Sequence, residues 1–378
     1  MRKWMSGMWM AGLIGVAAGP ACAQETIKIG VIEPLTGSVA YNGQAFVNGA
    51  KLAVKQRNAA SGVLGRKVEL VVEDDQCLPA NSVNAMEKLA QRDKVAAVLG
   101  AFCSSATAAI MPVAEKYKVP LLTGVSSMAD LTEKGLQYFF RSAETDRLMA
   151  KTFSKILADN LHLKTVAYVG VNDDWGRGSV EDFSRDLQAL GVKTGMKEYF
   201  DHGATDFYTL LTKLRASKAD GVFVAAETQD GSILVKQMKE VGLESQVFGV
   251  GSWATADFVK LAGEAAEGIH AAVPYAYTID RPENKVFVKE YQEAYNELPG
   301  KYSAAGYNAL NIVMDAIERA GEATPQKIRD ALPATDYKGP NGTFKFTDKG
   351  QGYGFDAVLV KLHEGAPQIV DRATVTPE

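Results

Sequence analysis

Short apolar runs alternate with amphipathic stretches along most of this chain, and the series occurs twice. That double alternation constrains the fold more than any other feature. Strand-like runs lie at 27–32, 68–73, 95–100, 120–123 and 138–141, and again at 165–171, 192–199, 221–226 and 246–250. Helical periodicity fills the gaps at 44–58, 80–91, 107–117 and 147–161, then at 178–190, 207–215 and 232–241. Runs rich in Val and Ile, without polar alternation, suit strands covered on both faces. Strands that alternate with helices predict parallel sheets joined by right-handed crossovers. After Gly268 the pattern changes to an extended run at 269–277, two strong helices near 282–297 and 302–319, and short strands near 342–347 and 355–362. The expected architecture is two α/β lobes, with the last segments completing each sheet. A chain of 378 residues also exceeds the ~250–300 residues at which a single core stops growing. No low-complexity linker separates the two series, so the lobes should be tied by several short connections, as a hinge requires.

The N-terminal segment reads as an export signal. Arg2 and Lys3 precede an apolar stretch at 4–18, and Ala21-Cys22-Ala23 offers small residues where a signal peptidase reads. The stretch falls short of the ~20 residues of a membrane span, so a signal peptide at 1–23, cleaved after Ala23, is expected. Its removal takes Arg2 and Lys3 away and shifts the net charge from −4 to −6. Such mild acidity, with the charges well mixed, argues against nucleic acid or an anionic membrane as partner. Cleavage also removes Cys22 and leaves Cys77 and Cys103 as an even pair. In an oxidising compartment that pair reads as one disulfide. Closing the intervening loop would stabilise the fold by ~3–4 kcal/mol on chain-entropy grounds.

Enzyme signatures are thin. The sequence holds no GxxxxGK[ST] phosphate loop, no GxGxxG opening a helix after a strand, and no GxSxG elbow. His162, His202, His270 and His363 are scattered, with no metal-ligand spacing, and read as surface or core side chains. No metal, no cofactor and no catalytic residue is expected. Glu73-Asp74-Asp75 reads as a solvated strand end leading towards Cys77.

Two strand ends carry unusual hydroxyl density. The first is Gly100-Ala101-Phe102-Cys103-Ser104-Ser105-Ala106-Thr107, entering an Ala-rich helix. The second is Leu122-Thr123-Gly124-Val125-Ser126-Ser127, ahead of Asp130-Leu131-Thr132. Ligands of open parallel sheets bind beyond the carboxyl ends of the strands. A helix N-terminus there presents free backbone N–H groups that suit an anion, and the Ser hydroxyls add donors and acceptors. Ser104 and Ser105 would equally serve as helix caps, and the residues alone leave both readings open.

The order and spacing of several segments resemble one family: the periplasmic substrate-binding proteins of branched-chain (Leu/Ile/Val) amino acid ABC transporters. The segments are Ile27-Lys28-Ile29-Gly30-Val31-Ile32-Glu33-Pro34-Leu35-Thr36-Gly37, Asp74-Asp75-Gln76-Cys77-Leu78-Pro79, Phe102-Cys103-Ser104-Ser105, Asp130-Leu131-Thr132-Glu133-Lys134-Gly135 and Gly263-Glu264-Ala265-Ala266-Glu267-Gly268. The resemblance implies a two-lobed α/β fold of periplasmic binding protein type I, each lobe a mostly parallel sheet flanked by helices, with hinge crossovers. Lobe 1 would comprise 24–144 plus 276–351, and lobe 2 would comprise 145–275 plus 352–378. It also implies a monomeric, non-catalytic periplasmic protein that hands an amino-acid-like ligand to an ABC permease in the inner membrane.

Carried over residue by residue, the resemblance places Ser104 on a carboxylate ligand, Ser127 on a second ligand residue and Val125 on a carbonyl that meets the ammonium group. Trp175 falls on an aromatic that closes over the ligand, Tyr302 on an aromatic of the side-chain pocket, and Phe102 on an apolar wall. Two departures stand out. Ser252 occupies the stretch where the family carries its acidic ammonium ligand, and Glu227 replaces a tyrosine. Glu227 is therefore expected to supply the lost carboxylate, because a buried amine needs such a partner. The alternatives are an amide, urea or aromatic carboxylate stacked by Phe102, Trp175, Tyr302 and Tyr41, a sensory ligand-binding role, or a secreted hydrolase using Ser104 or Ser127.

Overall fold

The computed structural model describes Met1 and residues 25–377, so the expected signal peptide, Met1 aside, and its cleavage site lie outside the described residues. Five strands form the first sheet: β1 (Ile27–Glu33), β2 (Val68–Asp74), β3 (Ala97–Gly100), β4 (Leu121–Thr123) and β5 (Phe139–Arg141). They run parallel in the order β2-β1-β3-β4-β5. The second sheet contains β6 (Thr165–Val171), β7 (Lys193–Phe200), β8 (Gly221–Ala225), β9 (Gln246–Val250), β10 (His270–Val273), β11 (Tyr337–Gly339), β12 (Gly342–Phe346), β13 (Gly352–His363) and β14 (Ala366–Thr374). Its order is β11-β12-β13-β10-β9-β8-β6-β7, with β14 on β13. The strands from β7 to β10 are parallel, and β11 to β14 add antiparallel partners.

The apolar runs account for this layering. In the first sheet Ile29, Val31 and Leu99 pack on one face with Phe46 and Val47, while Ile32, Val98 and Leu121 pack on the other with Met86 and Ile110. In the second, Tyr168 and Phe223 meet Phe153 and Phe183, while Val169 and Val224 meet Leu211 and Leu234. Covering both faces removes the polar alternation that one-sided strands show.

Three expectations change. The segment Gly342–Phe346 does not complete the first sheet; it pairs with β13, and only the bridge Arg141–Gln351 reaches back to β5. β14 was not expected from the sequence. It is an edge strand of alternating burial, reached through a tight turn in which Glu364 and Gly365 both have positive φ. Asp75 is fully buried, not solvated: its carboxylate accepts from the Cys77 amide and the Ser82 hydroxyl, which fixes the loop carrying Cys77. Cys77 and Cys103 form the expected disulfide, with Cα atoms 5.5 Å apart.

Two helices bring the C-terminal half against the first sheet. Helix Ala40–Ala59 lies along helix Lys301–Ala320 at very short range. A Cβ on Gly49 would sit 1.9 Å from the Ser303 carbonyl oxygen, and one on Gly306 would sit 2.1 Å from that of Phe46. Only glycine permits this approach, which carries Lys301 and Tyr302 to the line where the sheets face each other. The carboxyl ends of β3 and β4 open on the same line as those of β6, β8 and β9. Strand order reverses beside β1 and beside β6, which is where open α/β sheets take ligands. Among the described residues no helix is long and apolar enough to cross a membrane.

Candidate ligand-binding site

A cavity lies between the two sheets, lined by Phe102, Cys103, Ser104, Val125, Ser126, Ser127, Asp173, Trp175, His202, Glu227, Lys301 and Tyr302. It gathers seven of the residues expected from sequence: Phe102, Ser104, Val125, Ser127, Trp175, Glu227 and Tyr302. Ser105 is not among its walls. It is one residue further into helix Ser104–Tyr117 and half-buried. Tyr41 is 48% exposed and donates to Asp257, lining a neighbouring hollow instead.

The wall from the first sheet is built on hydroxyls, and the hydrogen bonds divide them by role. Helix Ser104–Tyr117 starts at the end of β3, leaving the first-turn amides without intrahelical acceptors. Ser104 accepts from the Met128 amide at 3.3 Å, so its own proton remains free for a ligand. Ser126 donates instead to the carbonyls of Ala101 and Phe102 and lies 2.6 Å from Thr107 Oγ1, a bond set that fixes the strand end. Ser127 donates to Asp146 Oδ2 at 2.8 Å, so its oxygen is left as an acceptor. The segment that follows is held by a fully buried arginine. Arg141 donates to the carbonyls of Ser126, Met128 and Ala129, to Thr132 Oγ1 and to Gln351 Oε1.

Asp146 links the two lobes. It accepts from Ser127 on one side and from Trp175 Nε1 at 3.3 Å on the other, and its amide donates to the Ser127 carbonyl. Burial pushes its pKa up to about 7, against the opposing hydrogen bond from Ser127, with the charge of Glu144 adding to the rise. Trp175 sits in the first turn of helix Asp174–Ala189, whose N-cap Asp173 accepts from the Gly176 amide.

Glu227 is the centre of the opposite wall. It is 6% exposed at the end of β8. Oε1 accepts from Tyr302 Oη at 2.7 Å. Oε2 accepts from Ser252 Oγ at 2.8 Å and Asn42 Nδ2 at 3.2 Å. Asn42 and Tyr302 come from the helices that cover the first sheet, so these bonds cross the cleft and the described conformation is closed. The ring of Tyr302 packs on Phe102 with centroids 4.8 Å apart.

The sequence reading missed several lining groups. His202 was read as a surface or core side chain, yet it borders the cavity. Its Nε2 lies 3.0 Å from Asp173 and its Nδ1 lies 3.5 Å from Asp230. Burial alone would lower its pKa, but the two carboxylates prevail and raise it to about 10, so it is a cation at neutral pH. Neither carboxylate is near it in sequence, so spacing gave no signal. Asp146 and Lys301 were missed because both sit at helix starts that periodicity alone does not mark. Among the described residues no group of three or more His, Cys, Asp or Glu side chains could hold a metal.

The "Periplasmic binding protein" family profile matches residues 26–366. The "Leucine-, isoleucine-, valine-, threonine-, and alanine-binding protein" of Pseudomonas aeruginosa is 29% identical over 362 residues, covering 96% of this chain and 96% of that one. The branched-chain amino acid transporter substrate binding protein of Streptococcus pneumoniae, solved with isoleucine, is 28% identical with a TM-score of 0.85, covering 93% of this chain and 100% of that one. A solute binding protein of Rhodopseudomonas palustris, solved with 3,4-dihydroxy benzoic acid, shares the fold at 24% identity and a TM-score of 0.86, covering 93% and 98%.

Proposed function

The chain belongs to the periplasmic binding protein family, and from that premise we propose that it is the solute-binding component of an ABC uptake transporter, closing its two lobes on an amino acid. The ligand carboxylate rests on the Ser104 hydroxyl and the amides that open helix Ser104–Tyr117. The ammonium meets Glu227, Ser127 Oγ and the Val125 carbonyl. Phe102, Val125, Trp175 and Tyr302 supply apolar walls, which favours a hydrophobic side chain such as leucine, isoleucine or valine.

One observation carries this reading: Glu227 lies in the cavity wall, buried, with three of its four acceptor positions used and one on Oε1 left. A buried carboxylate with a spare acceptor is matched by an amine more readily than by a neutral or anionic group. The donor and acceptor states of Ser104 and Ser127 run in the same sense, from carboxylate end to amine end.

Binding proceeds by hinge closure. The ligand docks on lobe 1, built on the first sheet, which bears Ser104 and Ser127. Lobe 2, built on the second sheet, then brings in Trp175 and Glu227 and excludes water. The ligand shifts the population only by its greater affinity for the closed form. A permease in the inner membrane reads that form, no chemistry is done on the ligand, and the segment before Gln24 directs export.

The test is calorimetry of the mature protein against the twenty amino acids and benzoate. At least one amino acid should bind, and Glu227→Gln should weaken it by about 10- to 100-fold, the loss of a charge-assisted bond. Benzoate binding with no amino acid bound, or a Glu227→Gln variant of unchanged affinity, overturns the assignment.

A further inference from the structure

Lys301 stands where its own helix does not favour a cation, although its charge reaches the buried Glu144 and Asp146 carboxyls. It is the first residue of a 20-residue helix, after the N-cap Gly300, and no acidic residue stands in that first turn. A cation there opposes the helix dipole, which favours negative charge at this end. The side chain is half-buried, yet among the described residues it has no ion pair within 4.0 Å. Its Nζ lies 4.8 Å from the centre of the Tyr302 ring, the ring that bonds Glu227. It borders the ligand cavity and also two adjoining hollows, one on the Glu144 side and one on the Ser252 side.

The charges around the cavity give this placement a meaning. Glu144, Asp146 and Glu227 are all buried acids. His202 is held between Asp173 and Asp230, a cluster that is net negative as a whole. Burial raises the pKa of Glu144 and of Asp146, and Lys301 opposes that rise, so its positive charge offsets the acidic lining of the cavity. A lysine set against the helix dipole, with no carboxylate within ion-pair distance among the described residues, is poised for an anion that arrives from outside.

We infer that Lys301 contacts the ligand, and that its ammonium forms a charge-assisted bond to a ligand carboxylate, making the acid form of the ligand the one the cleft selects. This rests on the reading of the cleft as an amino-acid site. Glu227 and Lys301 then form the two charged poles of the cavity, one for each end of a zwitterion. The carboxylate is held by Ser104 and Lys301 together, where hydroxyls and amides alone had been expected.

The experiment compares each amino acid with its C-terminal amide, on the wild-type protein and on Lys301→Met and Lys301→Arg, by calorimetry at low and at physiological salt. Wild type should prefer the best-binding acid over its amide, and Lys301→Met should reduce that preference by about 10- to 100-fold, while Lys301→Arg retains most of it. A purely structural role would weaken acid and amide alike and leave their ratio unchanged, and that result overturns the inference while the cleft assignment stands. If wild type binds no amino acid in the set, both fall together. Should Lys301→Met fail to fold, Lys301→Gln is read in its place by the same ratio.

Discussion

Replacing Glu33 with Met should stabilise this protein at neutral pH and leave it almost unchanged in acid. Glu33 ends β1, is fully buried, and both its carboxylate oxygens lack a hydrogen-bond partner among the described residues. Burial, with the charge of Asp75 adding, raises its pKa well above 4.5. A carboxyl whose pKa is raised by folding binds more protons in the folded state. Its contribution is fully present below about pH 4.5, where both states are protonated, and is lost as pH rises towards the folded value. Over that window the wild type should lose stability relative to the variant with a limiting slope of about 1.4 kcal/mol per pH unit. The slope vanishes once Glu33 ionises within the fold. Met has similar length and no polar atom, so the gap at pH 7.5 should reach about 1–4 kcal/mol, the limiting slope acting over one to three pH units. Urea unfolding followed by tryptophan fluorescence at pH 4, 5, 6 and 7.5 measures this directly. Asp75, raised chiefly by burial, titrates in both proteins and largely cancels. A gap that does not widen between pH 4 and pH 7.5, or a variant less stable at pH 7.5, would refute the reasoning.

Three further outcomes follow from the same contacts. Asp146→Asn should flatten the stability profile between pH 4 and 7 in urea titrations, because a carboxyl raised from 3.8 to about 7 stabilises most below pH 3.8 and loses that contribution as pH rises through 7. Gly306→Ala forces a Cβ to 2.1 Å from the Phe46 carbonyl oxygen and should destabilise by about 1–3 kcal/mol through overpacking. Because Tyr302 lies one turn away, calorimetry should also show weaker ligand binding. Removing the disulfide with paired Cys77→Ala and Cys103→Ala substitutions should lower unfolding stability by about 3–4 kcal/mol, and reduction of the wild type should reproduce the loss.

The fold was legible because burial on both faces leaves a mark in the sequence. Runs such as 165–171 are apolar throughout, and the observed β6 has those bounds. Helix starts were less legible. Helix Asp174–Ala189 opens on Asp-Trp-Gly, polar and small residues with no apolar period, so periodicity placed its beginning at Gly178 and missed that Trp175 rides its first turn. The same blindness hid Asp146 and Lys301. A helix start is set by a cap and by the preceding strand, and neither contributes to a 3.6-residue pattern. β14 escaped for another reason: one face is solvated, its residues are mixed, and Glu364-Gly365 is a weak turn signal beside Asn-Gly.

The two departures from the family pattern show what sequence could and could not supply. The acid expected at 252 and the one present at Glu227 are separate features along the chain. In space they are one arrangement, because Ser252 Oγ donates to Glu227 Oε2 at 2.8 Å and also takes the Thr228 amide at 3.0 Å. A carboxylate projected from the end of β8 needs donors, and Ser252, Asn42 and Tyr302 supply them from three elements. Restoring an acid at 252 would set two carboxylates side by side in a buried site, where both cannot remain ionised at neutral pH. Ser252→Glu should therefore weaken ligand binding, and the double variant Ser252→Glu with Glu227→Tyr should recover it better than either single change. Calorimetry on the four proteins of that cycle separates coupling from independent damage. Additive losses would mean that the two positions do not share one function.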